Sequence, residues 1–312
     1  MKYITVLSAS RKWSITERMV RNYCSNGLIP GAIQDKKTWL IPITAEKPKR
    51  KASEQSEAER PALARKLGNQ QKKRNFHGMY DYTLLNLTYS SCRMASCRLT
   101  WMKVESIIKN GKVAETFEAV KISDLIEVRN HVKCTELVLR DPMEPLTIKY
   151  VKELHRKLFV GTVDEQLDRV VSGAYRRAKT KIKDRNIPLA DEVPDRMKKL
   201  IKDYEKKETF GILDLLDFHV QLEKIAPFDD GNGRLGRLIL FKECLRHDVM
   251  PFIIDDKRRG RYLEGLREWD ECKDKLLEVV LEAQQRYSAQ IELQKLLASE
   301  HRNAAAVRRG RK

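Results

Sequence analysis

The sequence of 312 residues contains no apolar run approaching eighteen residues, and its opening stretch, MKYITVLSASRKW, carries charge where a secretion signal would be apolar. Neither a membrane span nor a signal peptide is expected, and a cytoplasmic location is. Six cysteines, at 24, 92, 97, 134, 244 and 272, show no repeating spacing. Cys92 and Cys97 stand five apart without a CxxC or histidine pair, so reduced thiols are expected rather than a zinc site or disulfide framework. No Ser-His-Asp or Cys-His arrangement is readable, and no internal repeat is found. Beyond Tyr80, strand signals are few and short.

What is present is charge. The chain carries +18, with a hydrophobic fraction of 41% that suffices for a packed domain. Residues 1–45 hold seven Lys and Arg against two acids, and residues 46–75 hold ten against four. The last twelve residues hold five against none, which leaves 76–300 at only +2. A polyanion-binding role therefore belongs to the flanks. Four segments follow: 1–45, a compact module; 46–75, a basic linker broken by two prolines and partly helical after Pro61; 76–290, the main domain; and 291–312, a basic tail ending AAAVRRGRK, expected to lack fixed structure.

In the first segment Thr5 can cap a helix through Lys12, and Thr16 a second helix, Glu17–Cys24, which Asn26-Gly27 ends. LIPGAIQ and TWLIP, joined by Asp35-Lys36-Lys37, read as a hairpin. The stretch YITVLSASRKWSITERMVRNYCSNGLIPGAIQDKKTWLIPITAEKP resembles the small excisionase/MerR-like helix-turn-helix family. The resemblance implies a winged helix-turn-helix whose second helix enters the major groove of DNA, with Arg18, Arg21 and Asn22 as the contacting residues.

From Tyr80 onward helical periodicity dominates, in ETFEAVKISDLIEVRNHVKCTELVL, YVKELHRKLF, DEVPDRMKKLIKDYEKK and ILDLLDFHVQLEKI. The exception is TKIKDRNIPL (180–189), an extended or hairpin flap. The fold class is mainly α: a helical core with a short β-hairpin flap, plus the small winged module.

IAPFDDGNGR (225–234) carries the chemistry. Gly231-Asn232-Gly233 is a turn whose backbone can approach a phosphate, and a helix starting there offers free amides and the positive end of its dipole. Arg234 and Arg237 can neutralise a polyphosphate bidentately, and Asp230 can hold Mg²⁺. Yet Ile225-Ala226-Pro227-Phe228 supplies no group able to accept a proton. His219, seven residues earlier among apolar neighbours, reads as structural, as do His131 and His155 within helical runs.

This stretch resembles the Fic family, whose motif is H-x-F-x-[DE]-G-N-[GK]-R-x-x-R, matched here at Phe228, Asp230, Gly231, Asn232, Gly233, Arg234 and Arg237. The likeness extends over roughly 80–290, including SGAYR (172–176) and RYLEGLREW (261–269). It implies an all-helical core and transfer of AMP from ATP, with Mg²⁺, onto a hydroxyl of a target protein. It further implies a target-binding flap at Lys181 and Ile182, and Tyr262 beside the nucleotide. Two departures stand out. The position of the family's general-base histidine is Ala226, and loss of such a base typically costs about 10²–10⁴ in rate. YSSCRMASCRLT (89–100) sits where many relatives carry an inhibitory helix, [ST]-x-x-x-E-[GN]; aligned on Ser91, the glutamate position is Ala95 and the next is Ser96. This implies an Arg237 free for the γ-phosphate. Two alternatives stay open: an ATP-binding regulator that does no catalysis and acts through DNA, and a DNA-binding regulator whose helical domain is a dimerisation platform.

Overall fold

Residues 3–13, 15–25, 27–35, 38–47, 60–73, 78–113, 119–177 and 187–309 are described by a computed structural model, with side chains as far as Leu297. The chain divides into two units, Met1–Glu54 and Gln55–Lys312.

In the first unit, β1 (Tyr3–Thr5) runs straight into α1 (Val6–Trp13), followed by α2 (Glu17–Ser25), β2 (Ile33–Asp35) and β3 (Thr38–Pro42). Thr5 Oγ1 accepts the Ser8 amide at 3.2 Å and Thr16 Oγ1 the Met19 amide at 3.4 Å, so each helix starts where its threonine caps it. Gly27, at φ 64°, takes the chain out of α2. The strands form an antiparallel sheet in the order β1-β3-β2, with Ile4 opposite Ile41 and Gln34 opposite Trp39. Val6, Ala9, Trp13, Val20, Cys24, Ile29 and Ile41 make one small core. The hairpin was legible, but β1 was not. Three residues are too few to show alternation, and only pairing with β3 makes them a strand.

The second unit contains α3 (Ala62–Lys72), α4 (Met79–Met94), α5 (Trp101–Asn110), α6 (Ile122–Arg140), α7 (Ile148–Phe159), α8 (Val163–Gln166), α9 (Val193–Glu205), α10 (Ile212–Ile225), α11 (Asn232–Arg246), α12 (Arg259–Arg267) and α13 (Lys273–Arg309). No strand occurs in it among the described residues. Helix α11 lies at the centre, against α10, α6, α4 and α7. Its Leu235, Leu238 and Ile239 are fully buried, as are Leu216 and Val220 of α10. Each such side chain stabilises the fold by about 1.5–3 kcal/mol.

Three sequence expectations change. The linker does not extend to residue 75, because Ala64 and Leu67 of α3 are buried in the main core. The helix predicted from residue 115 begins at Ile122; residues 114–118 lie outside the described set. The tail is helical through Arg309, since no glycine or proline interrupts the alanine-rich run before Gly310.

Candidate active site

Two helices meet head to tail at the loop 226–231. Helix α10 is capped at its start by Asp214, whose carboxylate accepts the Gly211 amide at 2.7 Å. It ends at Ala226, which is fully buried and left-handed (φ 44°, ψ 65°). Alanine seldom adopts this conformation, whereas His, Asn and Asp are several-fold enriched among residues that do. Helix α11 starts from Gly231 at φ 77°. There glycine is required twice over, because a Cβ would also lie 2.3 Å from the Phe159 ring.

Asn232 fixes the loop between them. Its Oδ1 accepts the Phe228 amide at 3.0 Å and its Nδ2 donates to the Phe228 carbonyl at 2.8 Å. This side chain shapes the loop from within. His155 holds the loop from below. Its Nδ1 accepts the Gly173 amide at 2.9 Å, which leaves Nε2 to donate to the Asp230 carbonyl at 3.1 Å, and the ring stacks on Phe228 at 3.8 Å. Burial lowers its pKa to about 4, so it is a neutral strut.

Arg234 is 4% exposed, and its guanidinium lies 5.1 Å from the Phe159 ring centre. Nη1 donates to Glu127 Oε2 at 2.5 Å and Nη2 to Asp230 Oδ2 at 3.2 Å, while buried Nε has no partner among the described residues. Burial holds the Glu127 carboxyl above the usual carboxylate range, and Arg234 pulls the other way. Asp230 also accepts the Gly231 amide, at 2.5 Å, yet its side chain is 61% exposed. Its carboxylate therefore keeps lone pairs facing solvent at the mouth of the amide cradle.

Arg237 corrects the sequence reading. It is not unpaired: Nε donates to Ser91 Oγ and Nη2 to the Ser91 carbonyl, both at 3.0 Å. Ser91 lies in the last turn of α4, where carbonyls lack helical partners. Ala95 is the exposed C-cap residue of α4, and Ser96 follows at φ 75°. The Ser96 amide bonds to the Arg93 carbonyl and the Cys97 amide to the Cys92 carbonyl, completing a Schellman stop. Such a stop favours Gly or Asn at position 96, as the aligned pattern has it.

Tyr262 shares the wall of a small cavity with Ser91 and Arg237. It is 1% exposed, and its hydroxyl lies 2.6 Å from His219 Nε2, within the core under the site. His219 is structural as expected; burial lowers its pKa to about 3. His131, also fully buried, is lowered to about 3 by burial and then by Arg237 and Arg234. Lys181 and Ile182 lie outside the described residues. Of the flap, residues 187–189 are described, and they wall a cavity of about 630 Å³ together with Glu223, Ile225 and Arg267.

Arg176 was missed by sequence reasoning beyond its place in SGAYR. It is 2% exposed, with Nε on the Ala226 carbonyl at 2.8 Å and Nη2 on the Pro188 carbonyl at 2.6 Å. Glu127 was missed too, being 107 residues from its partner. Nothing local in the sequence joins either pair.

Residues 145–243 match the model of the Fic/DOC family. Relatives include the protein adenylyltransferase Fic of Nematostella vectensis, 24% identical over 184 residues, or 58% of this chain and 42% of that protein. That of Drosophila melanogaster is 30% identical over 129 residues, 39% of this chain and 24% of the other. The chain thus spans less than half the length of the curated relatives it matches. Among solved structures, a Fic domain containing signaling protein from Bacteroides thetaiotaomicron aligns with a TM-score of 0.60 at 19% identity, covering 74% of this chain and 94% of that one. Residues 134–508 of Fic-1 from C. elegans align at 0.56 and 20% identity, covering 74% and 72%. The chain carries a Fic domain with the Fic fold.

Proposed function

We propose that the Fic domain is a nucleotide site of the protein adenylyltransferase type, which holds ATP but transfers AMP to protein hydroxyls slowly or not at all. The observation that carries this is the backbone at Ala226. It turns left-handed out of α10 into the loop that leads to Gly231, while its methyl group cannot take a proton. The buried Arg234 Nε, without an acceptor among the described residues, and the amides at the start of α11 both suit phosphate oxygens. The cavity bounded by residues 187–189 is large enough for a nucleoside, within the usual range for small-ligand sites.

Asp230 suits Mg²⁺ that arrives with the triphosphate. It offers one exposed carboxylate, and Mg²⁺ usually takes one or two carboxylates plus substrate phosphates. Among the described residues no group of three or more His, Cys, Asp or Glu could hold a metal alone. When bound, the ion neutralises charge on the departing pyrophosphate. In the transfer itself an acceptor oxygen bonds to the α-phosphorus, the bond from that phosphorus to pyrophosphate breaks, and the hydroxyl proton must pass to a base. This chain lacks that base at 226. The test is incubation of the wild type and Ala226→His with α-labelled ATP and a lysate. Label in the variant alone supports the proposal; equal labelling by the wild type overturns it.

The first unit supports a second function, DNA binding. Arg18, Arg21 and Asn22 are exposed on α2, with Arg21 now paired to Glu17 at 2.6 Å. A salt-dependent affinity for duplex DNA that falls when Arg18 and Arg21 become alanine supports it; no such affinity refutes it. On this reading ATP occupancy and DNA binding belong to one regulator.

A further inference from the structure

The segment SGAYR turns at Gly173, φ 77°, where a Cβ would lie 2.9 Å from the Lys152 carbonyl. The turn sets Tyr175 against Phe228, with ring centres 5.8 Å apart, and sends Arg176 into the interior. There, among the described residues, the guanidinium donates to carbonyls on two separate segments. Nε reaches Ala226 at 2.8 Å, and Nη2 reaches Pro188 at 2.6 Å and Ile225 at 3.5 Å. The Arg176 amide adds a bond to the Pro227 carbonyl at 3.0 Å. A buried cation is costly unless its donors are met, and the neutral acceptors here are backbone carbonyls that would otherwise be orphaned. Asp229 and Glu192 lie near enough to favour its charge.

We propose that Arg176 is a positioning residue that joins the cavity wall 187–189 to the phosphate loop, so that nucleoside and triphosphate are gripped in register. The inference rests on the nucleotide reading above. Arginine suits the task because its planar fork addresses two segments at once, whereas lysine offers a point charge on one flexible stem. Arg176 acts through Pro188 and Ala226. The phosphate loop has further supports of its own, in Asn232 and His155. Among the described residues the wall at 187–189 is held by Arg176 at the Pro188 carbonyl and by the Glu192 carboxylate at the Leu189 amide, so its Pro188 end rests on Arg176. Loss of the guanidinium should therefore weaken the grip on the nucleoside and spare the grip on phosphate.

The experiment compares wild type with Arg176→Lys and Arg176→Gln, full chain, by calorimetry with Mg²⁺·ATP and with inorganic tripolyphosphate. The expected result is a loss of about tenfold in ATP affinity with tripolyphosphate affinity changed less than about twofold, and a milder loss for lysine than for glutamine. A parallel fall for both ligands, or no change for either, overturns the proposal. A second measurement needs no nucleotide: amide exchange in Arg176→Lys should accelerate in peptides covering 187–190 and 226–228 and stay unchanged in α11. Unaltered exchange at 187–190 overturns the staple itself. If wild type binds neither ligand but exchange accelerates as expected, the staple stands and the nucleotide reading falls.

Discussion

Arg237 and Ser91 are joined twice, through the serine hydroxyl and through its carbonyl. They lie 146 residues apart, and the pair puts the end of α4 directly on the second arginine of the GNGRLGR stretch. A glutamate is not needed there to occupy this guanidinium; the hydroxyl and carbonyl of one serine in the last turn of α4 do so.

Ser91→Ala removes the hydroxyl acceptor and leaves the carbonyl. A bond from a charged group contributes about 1.5–3 kcal/mol, so Mg²⁺·ATP affinity should rise by roughly 10-fold or more if Arg237 swings to the γ-phosphate. ADP, which lacks that phosphate, should gain nothing. Equal gains for both nucleotides would show that Arg237 does not serve the γ-phosphate.

Ser96→Gly tests the end of α4. Ser96 is exposed and left-handed at φ 75°, a conformation that costs a residue with a Cβ about 1–2 kcal/mol. Glycine there should stabilise the protein by about 1 kcal/mol in denaturant melts, with an unchanged m value. A loss of stability would mean that the serine side chain has a role the backbone does not reveal.

Acidification should unfold the domain through its histidines. His131 and His219 are lowered to about 3 and His155 to about 4, in each case chiefly by burial. In the unfolded chain each returns to about 6.5, so falling pH protonates the unfolded state first. The stability these rings contribute is whole above about pH 6.5 and is lost as pH falls toward 4. The melting temperature should fall continuously across that window, with proton uptake on unfolding. A flat profile from pH 7 to 4.5 contradicts the burial of these rings.

Ala226→His returns an imidazole to a left-handed position that histidine tolerates well. Transfer of AMP should rise about 10²–10⁴-fold, with a pH profile following one ionising group. A variant that binds ATP as the wild type does, yet gains no transfer, would show that the missing base is not what limits this site.

Local chemistry made part of the fold and of the site readable. The threonine caps, the α10 span ILDLLDFHVQLEKI and the Gly-Asn-Gly helix start are each written in adjacent residues, so spacing and propensity reveal them. The contacts that tune the site are of another kind. Arg234 with Glu127, Arg237 with Ser91, and Arg176 with Pro188 and Ala226 join distant segments, and no periodicity encodes which acceptor a buried arginine finds. Tyr262 shows the same limit: nothing in RYLEGLREW announces that its hydroxyl meets His219, 43 residues earlier. The α3 residues Ala64 and Leu67 are too few apolar positions in a basic stretch to announce a core helix.

The most direct test is titration of the unaltered chain with Mg²⁺·ATP in a calorimeter. The account predicts saturable uptake at one site with a dissociation constant below about 1 mM, unaccompanied by release of pyrophosphate. No heat and no saturation at several times that concentration would contradict it, because a triphosphate cradle between Asp230 and Arg237 would then not exist.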